Sequence, residues 1–271
     1  MHHIRMRFII LFCIMSIFGL NSCAHKKTKS IKLESLTFNN IYNYSDNSGK
    51  FSVKRSGKVQ KNNFVFQKII YQDDFSKYLE RTRSISSITK NNIIPKISQF
   101  SVYLEGKEYA SQFKINYKTK SIEVKTSVAF EKLPLVQNFT LANFERVCFF
   151  HLIPECLKAS GMLESLIKQE NPGEENNKPQ LTLDAQNIQG EIGKSMGLNV
   201  LIESYPFTKL IYQDISNKWI EQATLSYEGF KDKEYTFSLE IFDQIISYKY
   251  DAQLNFIGLY WVSQSLNMSK Q

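Results

Sequence analysis

The chain has 271 residues with 34 basic and 26 acidic side chains, enough for one large domain or two small ones. Its basic residues alternate with acids beyond the N-terminal segment, which speaks against a nucleic-acid-binding face. With only four cysteines and four histidines, no local spacing suggests a zinc site or any other metal centre, and no cofactor is implied.

Arg5 and Arg7 precede an apolar run from Phe8 to Leu20, and Leu20-Asn21-Ser22-Cys23 follows. A positive segment, a short hydrophobic core and small residues at the cut outline a secretory signal over residues 1–22. The run is too short for a bilayer, which needs about 20 apolar residues as a helix. Leu20-Asn21-Ser22-Cys23 resembles the lipobox of bacterial lipoproteins. The resemblance implies cleavage before Cys23 and diacylglycerol and palmitate chains on it. With Ala24 rather than an acid in the next position, it also implies a Gram-negative outer membrane, with the periplasmic face favoured over the cell surface. Residues 23–35, with Lys26, Lys27, Lys29 and Lys32, read as a basic tether beside that surface.

The remainder, 36–271, is expected to be a single mainly β (α+β) domain: a large antiparallel sheet of two meanders, curved or doubled, with a helical hairpin packed on it. Short apolar alternations at 36–44 and 51–53 suggest strand pairs. The first meander is predicted over about 60–132. Phe100, Val102 and Leu104 alternate with polar residues, as do Tyr109, Ser111, Phe113, Ile115 and Tyr117, then Ile122, Val124, Thr126, Val128 and Phe130. The second is predicted over about 198–263, on Tyr235, Phe237, Leu239 and Ile241 and on Ile246, Tyr248 and Tyr250. Its last run, Leu254–Val262, is apolar at both parities and is expected to be covered on both faces. Ile70-Tyr71-Gln72-Asp73 recurs as Ile211-Tyr212-Gln213-Asp214, which leaves duplication and chance likeness as alternatives. Both copies predict a hairpin, with turns at Asp73–Ser76 and Asp214–Asn217.

Between the meanders a helical hairpin is predicted over about 140–170. Thr140 caps a first helix carrying Phe144, Cys148 and Leu152, and Pro154 opens a second through Leu157, Met162, Leu163 and Leu166. After cleavage and lipidation the remaining cysteines are Cys148 and Cys156, an even pair in an oxidising compartment, and a disulfide is expected. On one straight helix they would stand about 12 Å apart, beyond the ~4.4–6.8 Å Cα separation a bridge allows. The bridge therefore requires a corner near Ile153-Pro154.

Searching for chemistry yields little. His25 lies in the tether, and His151, among Phe149, Phe150 and Leu152, reads as a packed core histidine. Ser87-Ile88-Thr89-Lys90 has the Ser-x-x-Lys spacing of penicillin-interacting enzymes, but lies in a polar stretch without that family's partner motifs. The expectation is a non-enzymatic domain that binds an envelope protein. The first alternative is a carrier or receptor for an apolar or lipid ligand, lined by Tyr109, Phe113, Tyr117, Tyr235 and Phe237, loosely similar to the lipoprotein carrier and receptor half-barrels of the Gram-negative envelope. A cell-envelope hydrolase is the second.

Overall fold

The computed structural model describes residues 36–271 apart from 48, 73–77, 90–92, 105, 129–136, 141–145, 168–191, 205–206 and 208–217. The signal, Cys23, the tether and the turns expected at Asp73–Ser76 and Asp214–Asn217 lie outside the described residues.

The first meander begins earlier than the clearest alternation suggests. Strands β1 (Phe38–Asp46) and β2 (Gly49–Gln60) precede β3 (Asn63–Tyr71), β4 (Tyr78–Ile88), β5 (Ile93–Leu104), β6 (Lys107–Asn116), β7 (Ser121–Val128) and β8 (Gln137–Thr140). Each pairs antiparallel with the next. The second meander holds β10 (Ser195–Leu201), β11 (Ile220–Lys231), β12 (Glu234–Ile241), β13 (Gln244–Asp251), β14 (Phe256–Trp261) and β15 (Leu266–Lys270).

The two meanders make one sheet. β15 pairs with β1, with Tyr42 opposite Lys270 and Tyr44 opposite Met268, so the first strand of the domain lies beside its last. The order is β8-β7-β6-β5-β4-β3-β2-β1-β15-β14-β13-β12-β11-β10-β9, where β9 is Val147–Phe149. The sheet is antiparallel except for β9 and β10, which run parallel. β9 also lies against β5, so the curved sheet brings its far edge back onto its own inner face.

Period-two burial explains why these residues form strands. In β12, Tyr235, Phe237, Leu239 and Ile241 are buried, and in β13 so are Ile246, Tyr248 and Tyr250. One aromatic and aliphatic cluster joins Phe113 and Ile122 of the first meander to Leu225 and Leu239 of the second. β14 departs from expectation. It sits between β13 and β15, yet Tyr260 is 49% exposed and Val262, just beyond the strand, 65% exposed, so this run is covered on one face. Its apolar residues at outward parity reach the surface.

The helices also differ in placement. Thr140 closes β8, and Cys148 belongs to β9 instead of a first helix. A 3-10 turn at Phe150–Leu152 leads into α1 (Ile153–Ala159), with Pro154 in its first turn where a missing N–H costs nothing. Gly161, at φ +68°, turns the chain into α2 (Met162–Ile167). The helical pair packed on the sheet is therefore 153–167. Its corner after Phe149 brings Cys148 and Cys156 to a Cα separation of 6.1 Å, and they form a disulfide.

Candidate functional site

The segment from β9 to α1 lands on an inner surface that is polar. At inward positions β4 presents Glu80, Thr82, Ser84 and Ser86, and β5 and β6 present Ser98 and Ser111, all buried. Small hydroxyl side chains leave room for another backbone to approach, and the 3-10 turn and α1 bring His151 and Glu155 there.

Two ion pairs form within this layer. Arg55 on β2 donates from Nη2 to both carboxylate oxygens of Glu155, at 2.8 and 2.7 Å, and its guanidinium lies 5.0 Å from the ring centroids of both Phe66 and Phe256. Burial is the largest single effect and would lower the Arg55 value, but the Glu155 charge and hydrogen bond, with smaller contributions from Tyr42 and Tyr248, together outweigh it, and its value is raised. Lys68 on β3 pairs with Glu80 on β4 and donates to His151 Nδ1 at 2.8 Å. Burial, then the Lys68 and Arg55 charges, hold His151 well below its ordinary value, so the ring is neutral and stacks on Phe100 at 5.2 Å and 9°. With Nδ1 accepting, the proton sits on Nε2, a buried donor with no hydrogen-bond partner among the described residues.

Glu203, just after β10, completes the layer. Its side chain accepts from Ser98 Oγ at 3.2 Å and from the backbone N–H of His151 at 3.4 Å. Burial pushes its value up to about 8. At neutral pH the layer thus holds two ion pairs and two uncharged titratable groups, a balance that suits burial.

The space beside this layer is small. A cavity of about 50 Å³ is bounded by Arg55, Lys68 and His151 on its polar side and by Ile246, Tyr248 and Trp261 on the other. It has room for a few waters, against the ~300–1,000 Å³ of a pocket for a drug-sized ligand. A more open pocket of about 200 Å³ lies beyond Glu155, between Phe38, Tyr42 and Phe256, with Lys158 and Lys270 at its rim.

The five aromatic residues expected to line a ligand cavity do not border either space. Phe113 and Phe237 are fully buried, the latter packed on Tyr227 and Tyr250. Tyr235 stacks against Phe230 at 4.5 Å. Tyr117 donates to the Pro95 carbonyl at 2.7 Å, and Tyr109 meets Phe207 in a separate small cluster. Phe113, Tyr235 and Phe237 are core residues, while Tyr109 and Tyr117 are half-buried.

Sequence reasoning missed Arg55, Lys68, Glu80, Glu155 and Glu203. A signal existed in strand parity. Arg55 shares its face with Val53, and Lys68 shares its face with Phe66 and Ile70, so each charge stands where its strand points inward.

No family model and no curated protein matches this chain. Among solved structures, the beta-barrel-like protein of a domain of unknown function, DUF1849, from Brucella abortus is similar at a TM-score of 0.43 and 10% identity, covering 86% of this chain and 94% of that one.

Proposed function

We propose that this chain is a lipid-anchored protein of the bacterial outer membrane whose β domain acts by binding an envelope protein, without catalysis. The observation that carries the reading is an apolar patch on the outer sheet face. Ile245 on β13 is 60% exposed, and Tyr260 on β14 and Val262 just beyond it are exposed on the same pair of strands, where Ile246 opposes Trp261. Exposed aromatic and aliphatic side chains on a rigid sheet are the usual anchors of protein interfaces. Among the described residues the core aromatics pack on one another, which supports the same reading over that of an acyl-chain carrier. The hydrolase reading gains nothing from the buried acids, which are held against cations or hydroxyls and sealed beneath the helices.

The test is site-specific photo-cross-linking in cells that express the full chain, with the reactive group at Tyr260. One envelope protein, recovered reproducibly and lost in Val262→Asp, is the expected result. Stoichiometric lipid in native mass spectra of the detergent-purified protein, with no cross-linked protein, would establish the carrier instead. Intact mass of the same sample tests the anchor, which requires loss of residues 1–22 and a gain matching a diacylglyceryl group, with or without a third acyl chain.

A further inference from the structure

On the opposite face from the buried charges, β3 to β7 carry an ordered polar row. Gln67 is directly opposite Arg83, Arg83 opposite Gln99, Gln99 opposite Gln112, and Gln112 opposite Lys125. These five side chains cross five strands and, at about 4.8 Å per strand, extend about 19 Å. Two positions along, a second row runs Arg81, Ser101, Ala110 and Ser127, also in register. Because three of those four are small, the surface sinks beside the polar row into a recess of about 590 Å³, whose floor is the sheet at Phe100, Ser111 and Thr126.

We propose that this recess binds an extended acidic glycan. Amide side chains both donate and accept, which matches the hydroxyl-dense edge of a sugar. The strand spacing is close to the length of one pyranose unit, so successive units of an extended chain meet successive strands. Arg83 stands between two glutamines and makes no ion pair among the described residues; its planar fork is the group that takes a carboxylate through two bonds. The recess holds three cations, Arg81, Arg83 and Lys125, against one acid, Glu108. Lys125 is already paired with Glu123 at 3.0 Å, so Arg83 carries the recognition of charge.

An acidic peptide fits less well. Peptides add to a sheet at an unpaired strand edge, whereas β3 to β6, which carry most of this recess, are paired on both sides. The recess lies on different strands from the Ile245–Val262 patch, so this proposal goes beyond the protein-binding reading and fails or stands separately from it.

Titration calorimetry on the detergent-solubilised full chain at low salt tests it, with hexagalacturonate as the acidic probe, cellohexaose as the neutral one and poly-glutamate as the peptide. Saturable one-to-one binding of hexagalacturonate is expected, at least tenfold tighter than cellohexaose and weakened at least tenfold by Arg83→Ala. Ala110→Trp should fill the recess and abolish binding, and Gln99→Ala, a milder change on the exposed face, should weaken it severalfold with the melting temperature unchanged. Co-sedimentation with purified peptidoglycan sacculi that Arg83→Ala abolishes would name the cell wall as the source. Binding to hexagalacturonate without sacculi would point to a secreted acidic polysaccharide. The proposal is overturned if no glycan probe binds, if poly-glutamate binds as well as hexagalacturonate, or if neither Arg83→Ala nor Gln99→Ala alters the titration.

Discussion

Arg55 and Glu155, 100 residues apart in the chain, meet in the interior through a single guanidinium nitrogen that serves both carboxylate oxygens. That contact joins β2 to α1 and fixes how the helix sits on the sheet. Because both partners are almost wholly buried, neither can turn to water when the other is removed.

Removing one partner should therefore be far worse than removing both. Glu155→Ala leaves a buried guanidinium uncompensated and is expected to cost about 3–5 kcal/mol. Arg55→Met with Glu155→Leu substitutes apolar groups of similar size and should recover most of that loss. Urea unfolding of the three proteins measures it. Equal destabilisation by the single and double variants would show that the pair does not hold the helix.

The disulfide acts on the same helix from its other side, since Cys156 follows Glu155 directly. Cys148 and Cys156 close a short loop, and the chain-entropy argument assigns such a loop about 2.5 kcal/mol. Cys148→Ser with Cys156→Ser should lower stability by about that amount. It should also raise hydrogen exchange in β9 and α1 ahead of β12 and β13, because the cross-link fastens the sheet edge to the helix. A uniform rise across all strands would count against that local role.

How far the fold is legible in the sequence follows from this division between local and distant causes. Tyr235 to Ile241 and Phe113 to Ile122 announce their strands because each has one face on the core, and a period of two records that directly. Cys148 gives no such record. Val147 to Phe150 is apolar at every position, so it reads equally as buried helix or buried strand. Its parallel pairing with Asn199–Leu201, about 50 residues on, makes Val147–Phe149 a strand. The joining of β1 to β15 is invisible for the same reason, since the partners lie at opposite ends of the domain. The buried charges were half legible: parity placed Arg55 and Lys68 inside, but their partners arrive on other elements.

That β1–β15 junction depends on one glycine. A Cβ at Gly258 on β14 would come within 2.5 Å of the Met268 carbonyl oxygen on β15, a backbone atom that cannot swing aside. Gly258→Ala should cost about 1–3 kcal/mol through overpacking, and Gly258→Val more. The damage should be local, with amide exchange of Leu266–Lys270 and of its β1 partners Tyr42–Ser45 accelerated together. Unchanged exchange in Tyr42–Ser45 would mean that β1 does not depend on β15 for its protection.

The last prediction concerns pH. The folded Glu203 carboxyl titrates near 8, against an ordinary 4.5, so between those values the folded chain keeps a proton that the unfolded chain has released. Stability then falls as pH rises through that window. His151 has the opposite sign. Its ordinary value is 6.5 and burial beside Lys68 and Arg55 keeps the folded ring neutral well below that, so acid favours the unfolded chain. From about pH 4.5 to 6.5 the two slopes oppose each other; above 6.5 the His151 slope is gone, and Glu155, which burial also raises, acts in the same direction as Glu203. Melting temperature should therefore decline between pH 6.5 and 8. Glu203→Gln keeps a neutral group of the same shape, whose oxygen can accept from the His151 amide while its NH2 donates to Ser98 Oγ, and should reduce the decline while leaving the acid-side loss in place. If the decline is unchanged in Glu203→Gln, Glu203 does not carry it, and Glu155, the other buried carboxyl raised by its surroundings, is the group to test next.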